Sequence, residues 1–212
     1  MGGTFDPVHN GHVAIAEGAA HIFSPEKMIV LPAGNPYQRA RLPFASGADR
    51  VAMLVAGIGL GSIKVVIDRR ELNRTGPTYT VDTLQELRKE LGDEIQLIWL
   101  IGADAFAEIQ TWHRWQDLFG LTHFAVVMRP GERQLEATVS ANLKTAIEHR
   151  VATASELNCQ PAGSIVYLAL MPPEISSTQI RDRCQNGESI NGLVPAAVCD
   201  YIEQHKLYLN NA

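Results

Sequence analysis

The sequence predicts an α/β fold, a doubly wound parallel sheet in a single domain spanning residues 1–212. Three observations carry this. Short apolar runs alternate with amphipathic runs along the chain, and no internal repeat or low-complexity tract interrupts them. The apolar runs are continuous rather than alternating, as in strands buried on both faces. Gly or Pro closes most of them, as expected where a strand passes into a loop.

The elements follow in order. Met28–Leu31 reads as a buried strand stopped by Pro32, and residues 33–45, with Pro36, Pro43, Arg39 and Arg41, read as a loop. Ser46 stands three residues before Asp49, a capping pattern for a helix over 50–56 that Gly57, Gly59 and Gly61 end. Ile63–Asp68 is a β-branched strand. Thr78 or Thr80 is expected to cap a helix to about Leu91, where Leu84, Leu87 and Leu91 share a face and Gly92 stops it. Ile95–Ile101 is a strand, and Gly102 leads into a short helix from Asp104. His123–Met128 is a strand closed by Pro130-Gly131, with a helix expected around 132–152. Ile165–Leu170 is the last strand, before Pro172-Pro173. Ser177 is expected to cap a helix to about Gln185, and Pro195 sits in the first turn of a final helix ending near His205.

Composition narrows the function classes. Lys and Arg number 18 against 23 Asp and Glu, a net charge of −5, which argues against a broad nucleic-acid surface. A local site for an anionic small molecule remains compatible with that charge. No stretch reaches the ~18 uninterrupted apolar residues of a membrane span. The cysteines are Cys159, Cys184 and Cys199, an odd number without CxxC spacing. That speaks against a disulfide framework and a zinc knuckle and suits a reducing cytoplasm, and no signal peptide is visible.

Two motifs carry chemistry. The first is Gly2-Gly3-Thr4-Phe5-Asp6-Pro7-Val8-His9-Asn10-Gly11-His12. Adjacent glycines let backbone N–H groups approach a phosphate closely. His9 and His12 are one helical turn apart at a helix N-terminus, where partial positive charge favours a polyphosphate. A metal-ligand pair or two ordinary surface histidines are the competing readings. No motif-spaced third ligand supports the first, and the Gly-Gly and Asn-Gly context disfavours the second. The second motif is Ile175-Ser176-Ser177-Thr178-Gln179-Ile180-Arg181. Hydroxyls and N–H groups at a helix start form an anion cradle, and Arg181 can reach back over Thr178. A plain N-cap with a solvated Arg is the alternative. Gly57-x-Gly59-x-Gly61 follows a helix and lacks dinucleotide-binding spacing, so it is set aside.

His-x-Gly-His near the start with Ile-Ser-Ser-Thr-x-x-Arg near the end resembles the nucleotidyltransferase superfamily of Rossmann-like enzymes. Thr78–Leu84, Ile101–Asp104 with Thr111-Trp112, and Arg129-Pro130-Gly131 narrow the resemblance to the bacterial nicotinate-nucleotide adenylyltransferases. The resemblance implies transfer of adenylyl from ATP, with Mg²⁺, to nicotinate mononucleotide, giving deamido-NAD and pyrophosphate for NAD synthesis. The amide mononucleotide is the alternative acceptor. It implies His9, His12 and Arg181 as catalytic residues. ATP would be held by Gly2, Gly3, Thr4, Phe5, His9, His12, Asp104, Ile175, Ser176, Ser177, Thr178 and Arg181. Nicotinate mononucleotide would meet Arg39, Tyr79, Thr80, Trp112 and Arg129. Asp104 would take the ribose or adenosine, with a helix N-cap as its other reading. Trp112 would stack on the pyridine ring, with core packing beside Trp115 as its other reading. N–H groups at Thr80 would receive the nicotinate carboxylate. No residue is assigned as a resident metal ligand, and neither nucleic acid nor membrane is expected as a partner.

The sequence departs from the family in two places. The loop after the first buried run reads Pro36-Tyr37-Gln38-Arg39, without the family's His. The Gly-Gly turn should also follow a central strand of about five residues, yet only Met1 precedes it. The first strand is therefore expected to be absent, which predicts a weakly active or inactive nucleotide-binding protein, or a native start further upstream.

Overall fold

The computed structural model describes residues 1–35, 42–128 and 139–209. They gather into two compact units. One comprises residues 2–35, 42–76 and 172–209, and the other Met1 with residues 77–128 and 139–171.

The first unit is built on a three-stranded parallel sheet in the order β1-β2-β3, with β1 Gly2–Gly3, β2 Lys27–Pro32 and β3 Lys64–Ile67. The first strand is thus present as two residues, paired Gly2 with Leu31 and Gly3 with Pro32. Parallel strands need crossovers, and helices α1 Asn10–Phe23 and α2 Gly47–Gly57 supply them. Helices α7 Ser177–Gln185 and α8 Ala196–Gln204 complete the unit. Val30 and Leu31 of β2, Met53 and Leu54 of α2, and Val198 and Ile202 of α8 form its buried core. Gly57 is required by packing: a Cβ there would lie 2.7 Å from Val198 Cγ2 and 3.2 Å from Val8 Cγ1. Ser46 caps α2 as expected, its hydroxyl accepting from the Asp49 N–H at 3.1 Å.

The second unit carries a parallel sheet in the order β4-β5-β6, with β4 Ile98–Gly102, β5 His123–Val127 and β6 Ile165–Leu168. All five residues of β5 are buried, as its continuous apolar run required. Phe124 of β5 forms T-shaped pairs with Phe106 and Phe119 at centroid distances of 5.5 and 5.3 Å. Helix α3 Thr80–Leu91 covers this sheet's unit with Leu84 and Leu87 buried. Helices α4 Ala103–Ala107, α5 Leu118–Leu121 and α6 Ala141–Ile147 are short.

Several boundaries correct the sequence reading. Neither Thr78 nor Thr80 caps α3: Tyr79 is the cap residue and makes no side-chain cap bond. The Thr78 hydroxyl is buried without a hydrogen-bond partner among the described residues. Ser176, not Ser177, caps α7, accepting from the Gln179 N–H at 3.1 Å. Pro195 is the residue before α8 rather than within its first turn. Among the described residues of the helix expected around 132–152, α6 is helical, capped by Ser140 and ending at Ile147, while residues 132–138 and the Pro130-Gly131 stop lie outside the described residues.

Two buried polar residues were invisible to hydrophobic patterning. Arg88 of α3 donates to five carbonyls: Leu121 at 2.7 Å, Gly92 at 3.3 Å, Asp93 at 3.2 Å, Ile95 at 2.5 Å and Pro161 at 2.9 Å. His123 of β5 accepts the Ser164 N–H on Nδ1 at 3.1 Å, so its proton sits on Nε2 and is donated to the Gln160 carbonyl at 2.9 Å. Burial holds the His123 pKa below its ordinary value.

Candidate active site

The loop between β1 and α1 is shaped by its smallest residues. Phe5 adopts φ +51°, a left-handed conformation that costs a non-glycine residue about 1 kcal/mol or more. That turn folds its ring back over Gly3, where a Cβ would lie 2.9 Å from the ring. The Phe5 ring also meets the His12 ring edge-on, with centroids 5.0 Å apart.

His9 and His12 are fixed by one another's backbone. His9 is the extended N-cap of α1 and accepts the His12 N–H on Nδ1 at 3.4 Å. His12 accepts the His9 N–H on Nδ1 at 3.3 Å. Each Nδ1 is therefore an acceptor, and each neutral ring carries its proton on Nε2. The rings lie 3.7 Å apart with a 30° tilt. Burial lowers the His9 pKa to about 4. Burial, then the neighbouring His9, lowers that of His12 to about 3. At neutral pH the pair thus offers two neutral Nε2–H donors at the N-terminus of a 14-residue helix. Gly11 makes the arrangement possible, because a Cβ there would lie 3.0 Å from the His9 ring and 3.3 Å from the Pro173 carbonyl.

The fold brings the second motif to this loop. The Ser177 hydroxyl donates to the Pro7 carbonyl at 3.0 Å across 170 residues of sequence. Arg181 Nη1 donates to the Asp6 carbonyl at 2.6 Å, and Nη2 to the Thr178 hydroxyl at 3.0 Å, the backward reach its spacing predicted. Gly2 to Phe5, His9, His12, Ile175 to Thr178 and Arg181 are thereby assembled within one unit.

Sequence reasoning missed the residues that hold this assembly. Arg50 Nη1 donates to the Thr4 carbonyl at 2.8 Å and the Ala33 carbonyl at 2.9 Å. The buried Asp6 carboxylate accepts the Phe44 and Ala45 N–H groups and the Tyr208 hydroxyl. The Phe44 ring lies 4.7 Å beneath the Arg181 guanidinium, within cation–π range. A long-range contact with no local spacing rule leaves no trace in sequence.

The remaining sequence candidates belong to the second unit or lie outside the described residues. Tyr79 caps α3, Thr80 is its first residue, and the Tyr79 ring packs on His113 at 4.4 Å. That contact sets the start of α3 beside the turn bearing the half-buried Trp112. Trp115 meets Phe119 nearly perpendicular, with ring centroids 6.2 Å apart. Asp104 is exposed in the first turn of α4, and Gly102, not Asp104, is the cap residue. Arg39 and Arg129 lie outside the described residues.

No group of three or more His, Cys, Asp or Glu suited to a metal is present among the described residues. A Mg²⁺ ion accompanying ATP would take phosphate oxygens and water as ligands, as this ion commonly does.

Known proteins resemble this chain over nearly its whole length. A cytidylyltransferase-like family model matches residues 1–183. A “probable nicotinate-nucleotide adenylyltransferase” of Laribacter hongkongensis is 44% identical over 211 residues, covering 98% of this chain and 92% of the relative. One of Herminiimonas arsenicoxydans is 40% identical over 209 residues, covering 98% and 94%. Among solved structures, Plasmodium falciparum nicotinic acid mononucleotide adenylyltransferase complexed with APC shares the fold, with a TM-score of 0.67, 19% identity, and coverage of 98% and 94%. The chain therefore belongs to the cytidylyltransferase-like nucleotidyltransferases and, within them, to the nicotinate-nucleotide adenylyltransferase family.

Proposed function

We propose that this chain transfers the adenylyl group of MgATP to the 5′-phosphate of nicotinate mononucleotide, as one nucleotidyltransferase domain working in the cytoplasm. The observation that carries the reading is the union of the two motifs: Ser177 on Pro7 and Arg181 on Asp6, beside the His9–His12 pair. The names of the relatives supply the acceptor.

The chemistry needs no enzyme nucleophile. A 5′-phosphate oxygen of the acceptor attacks the α-phosphorus of ATP. The new O–P bond forms as the bond to the bridging oxygen breaks, and pyrophosphate leaves with that electron pair. Catalysis is then positioning and charge stabilisation. The Nε2–H groups of His9 and His12 donate to phosphate oxygens without competing as bases, because both Nδ1 atoms are occupied by backbone N–H groups. N–H groups of Gly2 to Phe5 approach the phosphates closely. Ile175 to Thr178 and Arg181 hold the departing pyrophosphate, and Asp104 the adenosine. On the acceptor side, the Thr80 N–H region receives the nicotinate carboxylate, Tyr79 and Trp112 flank the ring, and Arg39 and Arg129 meet the 5′-phosphate.

Purified protein given MgATP and nicotinate mononucleotide should release pyrophosphate and form deamido-NAD. Folded protein that binds ATP but releases none would be a nucleotide-binding protein and would overturn the reading. A kcat/KM for nicotinamide mononucleotide equal to that for the acid would replace the acceptor.

A further inference from the structure

The C-terminal segment reaches the centre of the phosphate-binding loop through one atom. Tyr208 is buried, at 8% exposure, and its hydroxyl donates to Asp6 Oδ1 at 2.8 Å across 202 residues of sequence. The Asp6 side chain is buried too, at 3% exposure. A buried carboxylate is costly unless its oxygens are satisfied. Here Oδ2 accepts the Phe44 N–H at 2.7 Å, while Oδ1 accepts the Ala45 N–H at 3.0 Å and the Tyr208 hydroxyl. The Asp6 main-chain carbonyl accepts Arg181 Nη1 at 2.6 Å, and Arg181 rests on the Phe44 ring. Asp6, Phe44 and Arg181 thus form a closed circuit, which Tyr208 enters from outside.

Two features show that the Tyr208 contact is more than filling. Tyr208 holds φ +62°, a conformation an aromatic residue adopts only when its surroundings impose it. Burial, then Asp6, raises its pKa, so the hydroxyl keeps its proton and remains a donor at any working pH. A residue serving only to pack would need the ring and not the oxygen.

We propose that Tyr208 is a positioning residue for adenylyl transfer: its hydroxyl seats the Asp6 carboxylate, and Asp6 holds the phosphate-binding loop, the Phe44–Ala45 turn and Arg181 in one register. This rests on the function proposed above. Arg181 is assigned to the departing pyrophosphate, so losing its register lowers kcat more than it raises KM.

The test compares wild type with Tyr208→Phe, which keeps the ring and deletes the donor, and with Asp6→Asn, which keeps the shape and weakens the acceptor. Three readouts are taken: steady-state pyrophosphate release, thermal melting, and amide exchange of peptides holding Phe44 and Ala45. In Tyr208→Phe, kcat should fall on the order of tenfold with KM for MgATP within about threefold of wild type. Exchange at Phe44 and Ala45 should quicken by roughly tenfold. Asp6→Asn should show both effects, and the double variant should be no worse than Asp6→Asn alone. Wild-type kcat and wild-type exchange in either folded variant overturn the proposal, as would a fall in melting temperature with kcat unchanged. A wild type that releases no pyrophosphate counts against the adenylyl-transfer reading instead, and the exchange rates still report whether Tyr208 seats Asp6.

Discussion

His9 and His12 cap one another: each accepts the other's backbone N–H on Nδ1, at 3.4 and 3.3 Å, which leaves both Nε2–H groups as donors. The capping bond and the donor are separable by substitution. Asn is a good N-cap residue but lacks the outward Nε2–H. His9→Asn should therefore keep stability within about 1 kcal/mol while lowering kcat/KM on the order of 100-fold. Denaturant melts and steady-state kinetics on the same preparation check both. A parallel loss of stability and rate would assign His9 a capping role alone.

The same pair sets a pH dependence. Both imidazoles titrate far below the ordinary value of 6.5, at about 4 and about 3. Between those values and 6.5 the unfolded chain binds more protons than the folded one. Stability is therefore full above about pH 6.5 and is lost as pH falls through the folded-state values. Each such histidine adds up to about 1.4 kcal/mol per pH unit to the slope in that window. His123, lowered by burial, acts in the same direction. Chemical denaturation at pH 5, 6 and 7 should show wild-type stability rising with pH, and His12→Asn should flatten the slope. An unchanged slope would show that the pair does not carry it.

Gly11 offers a test in which helix propensity and site geometry oppose each other. Ala inside a helix is worth up to about 1 kcal/mol over Gly. At position 11 a Cβ would press on the His9 ring at 3.0 Å and on the Pro173 carbonyl at 3.3 Å. Gly11→Ala should gain none of that stability and should lower kcat by roughly tenfold through displacement of His9. A more stable, fully active variant would show that the ring gives way freely.

Arg88 should matter for stability and not for chemistry. Its guanidinium serves carbonyls of residues 92, 93, 95, 121 and 161 within one unit. Arg88→Leu strands these acceptors and should destabilise by about 3 kcal/mol or more, with turnover per folded molecule preserved. Calorimetry paired with active-site titration separates the two. Lys should not rescue, because one ammonium cannot span the set.

Trp112 is half-buried beside the turn that Tyr79 contacts through His113. Trp112→Ala should raise KM for nicotinate mononucleotide about tenfold while leaving KM for MgATP near wild type. Equal rises in both would place the ring outside the acceptor site.

Much of this protein was legible in the sequence for identifiable reasons. The strands of the second unit were visible because a strand buried on both faces must be apolar throughout, as in His123–Val127. The His9–His12 pair and the Arg181–Thr178 contact were visible because both are i, i+3 relationships that helix geometry imposes locally. Caps were read less well. Serine and threonine compete for that position, and Ser176 rather than Ser177, and Tyr79 rather than a threonine, took it. Helix α6 was carried past its end at Ile147 because its weak periodicity fixed no C-terminus. Beyond these, only tertiary structure decided how the chemistry is held. Asp6 reads as one more residue of a loop motif until the fold places Phe44, Ala45, Arg181 and Tyr208 around it. Sequence alone thus singled out groups suited to phosphate, since glycine turns, helix starts and imidazoles suit that ligand wherever they occur. The tertiary structure decided their tautomers, their pKa values and their register, because burial and hydrogen bonds between distant segments set those, and neither has a sequence period.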